Sequence, residues 1–359
     1  MFRAGLLLSL ATVVLGLSAG DLKVSVKAVS QSVKSVEDIV ITAVVSNPTK
    51  KDIRVIAKNN ILDGSATRSF AVSKADNSVL FTGVRTTLDL TAEGIYTTIP
   101  AGSSIAVNHT DLGALYDFEH FGTGSFHFAP NTFFQTGPDA TPIHVKTDVI
   151  AVEVTHDVAK RELFPLQART STPVCGDGGK LQVLTQALAS ARSLAGGAAT
   201  DLQTHPNSAE FNTYFGGNDP NEIWYDMDRI AGDLSDRSGD RSINCNNDPA
   251  GLCGGNGGVI AYTIVVTSGG QIVGSNIYTC DILYTDVQSN PSSICTNGFD
   301  STTSSTGGVI LHELSHATSG SADIIYGCSN TAQLSPADKK NNADNFRCMG
   351  LAIYKHYDC

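Results

Sequence analysis

The first 174 residues of this 359-residue chain contain no cysteine, and all eight cysteines lie from Cys175 onward. The first half is therefore not held by disulfides, and it offers no thiolate that could block a metal. No two cysteines stand as C-x-x-C, which removes the usual paired ligands of a structural zinc site. Charged residues are scarce at 16%, and the formal net charge is −11. An acidic chain of this kind repels nucleic acid. After the N-terminus no apolar run approaches twenty residues, so no membrane span is expected. No glutamate follows Glu313. Any site built by the last residues must take its later carboxylates from aspartate.

The N-terminus itself is apolar. Arg3 precedes a run from Ala4 to Leu17, and Ser18, Ala19 and Gly20 are small. That is the layout of a secretory leader over 1–19, too short for a comfortable span. An even count of cysteines in a secreted chain predicts four disulfides. Their connectivity stays open, since eight cysteines allow roughly a hundred pairings.

From residue 20 to about 160 the chain reads as strands. Leu22–Val29, Ile39–Val45, Ile53–Ala57 and Val79–Thr87 are short, rich in Val, Ile and Thr, and separated by turn residues such as Asn47-Pro48 and Asp63-Gly64. The pattern predicts an all-β, sandwich-like unit. It carries a glycosylation sequon at Asn108. A dibasic pair, Lys160-Arg161, and a second basic site at Arg169 mark candidate processing positions.

After Lys180 the period changes. Leu181, Leu184, Leu188, Ala191 and Leu194 recur at spacings of three and four, which predicts a helix that ends at Gly196-Gly197. Further helices are expected over 201–214 and 221–234, with His205 as a surface or capping residue. Residues 236–258 read as a loop. Val259–Thr267 and Gln271–Tyr284 read as strands joined through Gly269-Gly270. Ser335 and Pro336 start a last helix that runs to Cys359 with its apolar face turned behind the site.

The chemistry concentrates in Ile310-Leu311-His312-Glu313-Leu314-Ser315-His316. On a helix, His312 and His316 share one face and reach one metal, and Glu313 stands beside them to take a proton from water. Zinc fits neutral imidazoles and one open position. The third ligand is open to choice. A later glutamate is excluded. An H-E-x-x-H-x-x-G-x-x-H motif is excluded too, because Ser319 and Ala322 hold the Gly and His positions. Asp323, Asp338, Asp344, Asp358 and His356 remain. Asp323 is nearest, and Gly320 can end the helix in a left-handed conformation and turn the chain back.

H-E-x-x-H followed by Gly320-Ser321-Ala322-Asp323-Ile324-Ile325-Tyr326-Gly327 resembles the deuterolysin-type zinc endopeptidases, the fungal aspzincins. The resemblance departs from the family's usual Thr only at Ser321, which keeps the hydroxyl. It implies one zinc per chain held by His312, His316 and Asp323. It further implies Glu313 as general base and acid and Tyr326 as donor to the developing oxyanion. It implies a plan of leader (1–19), β-sandwich-like propeptide (20–169) and zincin-like α+β catalytic domain (170–359), the last mostly helical with a small antiparallel sheet. It implies the bridges Cys175–Cys245, Cys253–Cys280 and Cys295–Cys359, which leaves Cys328 and Cys348 to pair. The product is then a secreted, monomeric zymogen-derived hydrolase. Its partners are protein or peptide substrates and its own propeptide.

Residues 170–359 hold nine Lys and Arg against nineteen Asp and Glu, which favours basic substrates. One subgroup of the resembled family cleaves before lysine and carries an acidic pair near N-A-D-N. Here Asp344 stands at the first acid, as a candidate substrate-binding residue. Arg347 replaces the second acid, which argues against strict lysine specificity. The competing reading is a secreted zinc-containing binding protein or an inactive relative. A closed structural site would not need Glu313.

Overall fold

The computed structural model describes residues 17–161, 163–164, 173–232, 241–254 and 257–359. Most of the expected leader, the basic site at Arg169 and the junction at Thr170 lie outside the described residues.

The N-terminal half is built of short strands. Lys23–Ala28, Ile41–Ser46 and Ser104–His109 form a three-stranded antiparallel sheet. Ser32–Ser35, Ile150–Asp157, Gly124–Pro130, Phe70–Lys74 and Asn77–Ser78 form a five-stranded sheet in that order. Alternation decides which side is interior: Ile41, Ala43 and Val45 are buried while their neighbours are half-exposed. Ala28 and Ile41 from the first sheet share one core with Phe70, Val72, Phe126, Phe128, Val152 and Val154 from the second.

One predicted strand goes elsewhere. The run Val79–Thr87 was expected inside this unit, but only Val84–Leu88 is a strand, and it leaves its own half of the chain. It pairs antiparallel with Val259–Ser268, from Leu88 opposite Val259 to Val84 opposite Ile264. The resulting four-stranded sheet runs Arg241–Asn244, Gln271–Thr279, Val259–Ser268, Val84–Leu88. This sheet is mixed, not wholly antiparallel as expected, because Arg241–Asn244 lies parallel to Gln271–Thr279 inside the stretch read as loop. Gly269 and Gly270 make the hairpin turn with φ of 57° and 74°, values a two-residue turn of this hand demands.

The C-terminal half is mostly helical. The first helix, Gly178–Thr204, runs 27 residues straight through Gly196-Gly197. The glycines do not stop it, because it packs along Pro220–Ala231, Thr306–Ser319 and Ala343–Asp358. Burial along three neighbours outweighs a propensity cost of about 1 kcal/mol per glycine. A Cβ on Gly197 would already touch Ile353 at 3.7 Å. His205 closes the helix as its C-cap. The expected last helix is two. Pro336–Asn341 and Ala343–Asp358 are separated by Asn342, which is extended (φ −100°, ψ 122°). Its side chain accepts from the Ile324 and Ile325 amides, so the break anchors the loop after the motif.

The helix Thr306–Ser319 is central. Ser305 caps it by accepting from the Gly308 amide, and every residue from Thr306 to Thr318 is buried. A helix buried on all sides belongs to the core, and its polar side chains must find partners there. Four disulfides join Cys175–Cys245, Cys253–Cys280, Cys295–Cys359 and Cys328–Cys348. The packing of Ala343–Asp358 on its neighbours depends on one small residue: a Cβ on Gly350 would stand 2.7 Å from Leu311 Cδ2 and 3.3 Å from Leu194 Cβ. We therefore expect Gly350→Val to lower stability by about 1–3 kcal/mol through overpacking. The midpoint of urea unfolding, at unchanged slope, checks this.

Candidate metal centre

The central helix carries His312 and His316 four residues apart, with ring centroids 4.8 Å from each other. Gly320 ends the helix in the left-handed region (φ 68°, ψ 22°), its amide bonded to the His316 carbonyl. The chain then doubles back, and Asp323 returns to the two rings. Asp323 Oδ1 lies 3.0 Å from His312 Nε2 and 3.2 Å from His316 Nε2. All three residues are buried.

The proton positions decide what this trio needs. His316 Nδ1 lies 2.9 Å from the Ser321 carbonyl, which can only accept. His312 Nδ1 lies 3.2 Å from Asp344 Oδ1. When neutral, as a metal ligand must be, both rings keep their proton on Nδ1 and turn a lone pair on Nε2 toward Asp323. His316 Nε2 is buried with no hydrogen-bond partner. Three electron-rich atoms converging in a dry site are unfavourable without a cation between them. A tetrahedral zinc with bonds of about 2.0–2.2 Å would hold its ligand atoms about 3.3 Å apart, close to the separations found. The donor set, two imidazoles and a carboxylate, suits zinc and leaves a position open.

A proton on His312 can supply part of the positive charge that the trio needs. Burial works against a charge on His312, but Asp323 and Asp344 outweigh it and hold the ring up to about 10. Burial likewise opposes the Asp323 carboxylate, but His316 and His312 outweigh it and hold it well below the usual range. The pocket thus favours positive charge at the place where the three atoms meet.

Glu313 is fully buried beside the trio. One carboxylate oxygen accepts from Thr263 Oγ1 and the other from Thr87 Oγ1, each at 2.6 Å. Burial pushes its acid up, against the pull of the two histidines and the two threonines. Tyr326 places its hydroxyl in the same space: it donates to the Thr86 carbonyl at 2.6 Å and receives from Asn59 Nδ2 at 2.5 Å. Burial and the nearby Asp323 push this phenol well above its ordinary value, so it stays a donor. A cleft of about 260 Å³ between the two halves reaches Asp323.

His312, Glu313, His316, Asp323 and Tyr326 are thus together. The other carboxylates weighed as ligands are not. Asp338 sits under Ser335 at a helix start, Asp358 is exposed near the C-terminus, and His356 pairs with Glu210. Asp344, expected to face substrate, corrects that expectation. It is 0% exposed and bonds to His312 Nδ1, to the Gly327 amide at 2.8 Å and to both Nε and Nη2 of Arg347. Its oxygens are consumed behind His312 because the helix Ala343–Asp358 packs against the back of the motif helix. Arg347, read as a cation near substrate, is itself buried and clamps Asp344 while donating to the carbonyls of Phe299, Asp300 and Ser301. Asn108 is exposed on its strand.

The residues that sequence reasoning missed are Asn59, Thr86, Thr87 and Thr263. Three of them belong to the other half of the chain, more than 200 positions from the motif. No local pattern marks them.

Comparison with known proteins places the site in context. A profile of the Deuterolysin metalloprotease (M35) family matches residues 3–357. A neutral protease 2 homologue of Aspergillus fumigatus is 26% identical over 361 residues, covering 96% of this chain and 76% of its own. A peptidyl-Lys metalloendopeptidase of Armillaria mellea is 27% identical and covers 88% of each chain. Penicillolysin of Penicillium citrinum is 24% identical over 91% of each. A solved structure of a zinc peptidase from Grifola frondosa is similar at a TM-score of 0.34 and 20% identity, covering 49% of this chain and 96% of that one.

The outer carboxylate gives a test that needs no turnover. Asp344→Asn keeps the shape but removes the charge that polarises His312. Zinc affinity should fall about 10- to 100-fold, read by competition with a chromogenic chelator. His316→Ala should release the metal altogether under the same conditions.

Proposed function

The chain belongs to the deuterolysin metalloprotease (M35) family and is a peptidase, and from that premise we propose that it is a secreted endopeptidase that uses one zinc ion held by His312, His316 and Asp323. The observation that carries the reading is the convergence of the two Nε2 atoms on Asp323 Oδ1, with Glu313 buried alongside.

Zinc bound by these residues supplies Lewis acidity, which polarises a peptide carbonyl and makes water nucleophilic near neutral pH. Glu313 accepts the proton of the attacking water and returns it to the leaving nitrogen. Thr263, donating to one oxygen of that carboxylate, fixes its rotamer. The Tyr326 hydroxyl donates to the carbonyl oxygen as charge builds there. Asp344 and Arg347 hold the His312 ring in its tautomer from behind. The strand Val259–Ser268 lies beside the motif helix, and the edge that Val84–Leu88 pairs with here would suit an extended peptide.

The substrates are proteins or peptides. We infer a preference for basic ones from the acidic balance of residues 170–359 and from the name of the Armillaria mellea relative, a peptidyl-Lys metalloendopeptidase. Asp344 does not contribute to that preference, since its carboxylate is already bound. Four disulfides suit an oxidising compartment. We read 1–19 as a leader, 20–169 as a propeptide whose two larger sheets share a core, and 170–359 as the mature enzyme. Cleavage would fall after Arg161, which pairs with Asp157 and Glu37, or after Arg169.

Glu313→Gln should keep a full complement of zinc and lose casein cleavage by at least about 100-fold. Metal analysis and turnover on one preparation decide this, and wild-type turnover in that variant would remove Glu313 from its role. Tyr326→Phe should lose turnover by about 100-fold while KM changes little.

A further inference from the structure

The sheet edge beside the metal centre is occupied by the chain itself. Val84–Leu88 lies on the edge of Val259–Ser268 with Leu88 opposite Val259, Thr86 opposite Tyr262 and Arg85 opposite Thr263. Its contacts are not those of a strand that merely completes a sheet. They engage, one by one, the groups that would handle a substrate. The Tyr326 hydroxyl donates to the Thr86 carbonyl oxygen at 2.6 Å. The Thr87 hydroxyl donates to Glu313 Oε1 at 2.6 Å. The Thr86 amide donates to Asp323 Oδ2 at 2.8 Å. On either side, Arg85 Nε donates to the Ser321 carbonyl at 3.0 Å and Thr302 Oγ1 to the Leu88 carbonyl at 2.6 Å. Leu88 is fully buried among Val259, Tyr262, Tyr278 and Tyr326.

We propose that Val84–Leu88 is a substrate-mimicking strand that keeps the site latent in the full chain, with the Thr86–Thr87 peptide at the reaction centre and the Thr87 hydroxyl in the place of the attacking water. The proposal rests on the peptidase reading above. Three features make the strand an inhibitor and not a substrate. Thr87 Oγ1 satisfies the carboxylate oxygen that would otherwise take a proton from water. The Thr86 carbonyl engages the oxyanion donor Tyr326, so that donor is already committed. The strand cannot shift along the cleft, because its own half of the chain pins it: Asn59 Nδ2 bonds to both Thr86 Oγ1 and the Tyr326 hydroxyl, and Arg85 Nη2 donates to the Phe81 carbonyl. A free peptide lacks these ties. The occupant is held by edge pairing, the way an extended ligand is bound to a sheet, so its removal with the rest of 20–169 would bare the same edge for substrate.

The test uses the full chain loaded with zinc. Hydrogen exchange of the amides of 84–88 and 259–264 is followed together with casein cleavage, for the wild type, Thr87→Val and Thr87→Ser. Slow exchange in both segments and little cleavage are expected for the wild type. Thr87→Val, which removes the hydroxyl and keeps the shape, should speed exchange in 84–88 and raise cleavage by about tenfold, the worth of one hydrogen bond to a charged group. Thr87→Ser should behave as the wild type. Fast exchange of 84–88 in the wild type, or wild-type cleavage equal to that of Thr87→Val, overturns the proposal. If zinc is bound and neither these forms nor the chain cut between 161 and 170 cleaves casein, the zinc-endopeptidase reading fails, and exchange alone still decides whether the strand is held at that edge through Thr87.

Discussion

The structure is organised around a repulsion that needs a cation. Two imidazole nitrogens and a carboxylate oxygen meet at about hydrogen-bond distance, and in the neutral rings a metal requires each proton is committed to an acceptor behind it. Much of the surrounding architecture keeps those atoms in place. Gly320 turns the chain, Asn342 breaks a helix to hold the returning loop, and the Cys328–Cys348 bridge ties that loop to the helix carrying Asp344.

Burial makes the arrangement sharp. Asp344, Arg347, Glu313 and Asp323 are all within 3% of complete burial, and charges in such a setting are tolerable only when paired. Each has its partners. Arg347 spends its donors on Asp344 and three carbonyls, and Asp344 spends its oxygens on Arg347, His312 and the Gly327 amide. The result is a relay of fixed groups from the helix Ala343–Asp358 to the His312 ring. It also explains why an aspartate that looks available on a helix end is not offered to a ligand.

The two halves of the chain meet through backbone pairing at the most functional place in the molecule. Val84–Leu88 adds to the edge of Val259–Ser268, and the threonines it carries satisfy polar groups that would otherwise be buried without partners. An exposed sheet edge needs a cover or a ligand. In this chain the cover reaches the same atoms that the proposed chemistry uses.

Local chemistry in the sequence was enough for several features. The helix bearing His312, Glu313 and His316 follows from apolar residues around a four-residue spacing. The left-handed turn at Gly320 and the hairpin at Gly269-Gly270 follow from a residue without a Cβ. The caps at Ser305 and Ser335 follow from their hydroxyls. The disulfide pairs and the place of Asp323 came from likeness to a family, and the distances agree with them. Tertiary packing decided the rest. It carried a helix through Gly196-Gly197 and split another at Asn342, because neighbouring helices and a loop outbid local propensity. It moved Asp344 from the cleft to the back of His312. It drew Val84–Leu88 out of the unit its sequence suggested and set Thr86, Thr87 and Asn59 against Tyr326 and Glu313. Contacts across more than 200 residues leave no periodicity to read, since they are set by which edge and which buried polar group lacked a partner once both halves had folded.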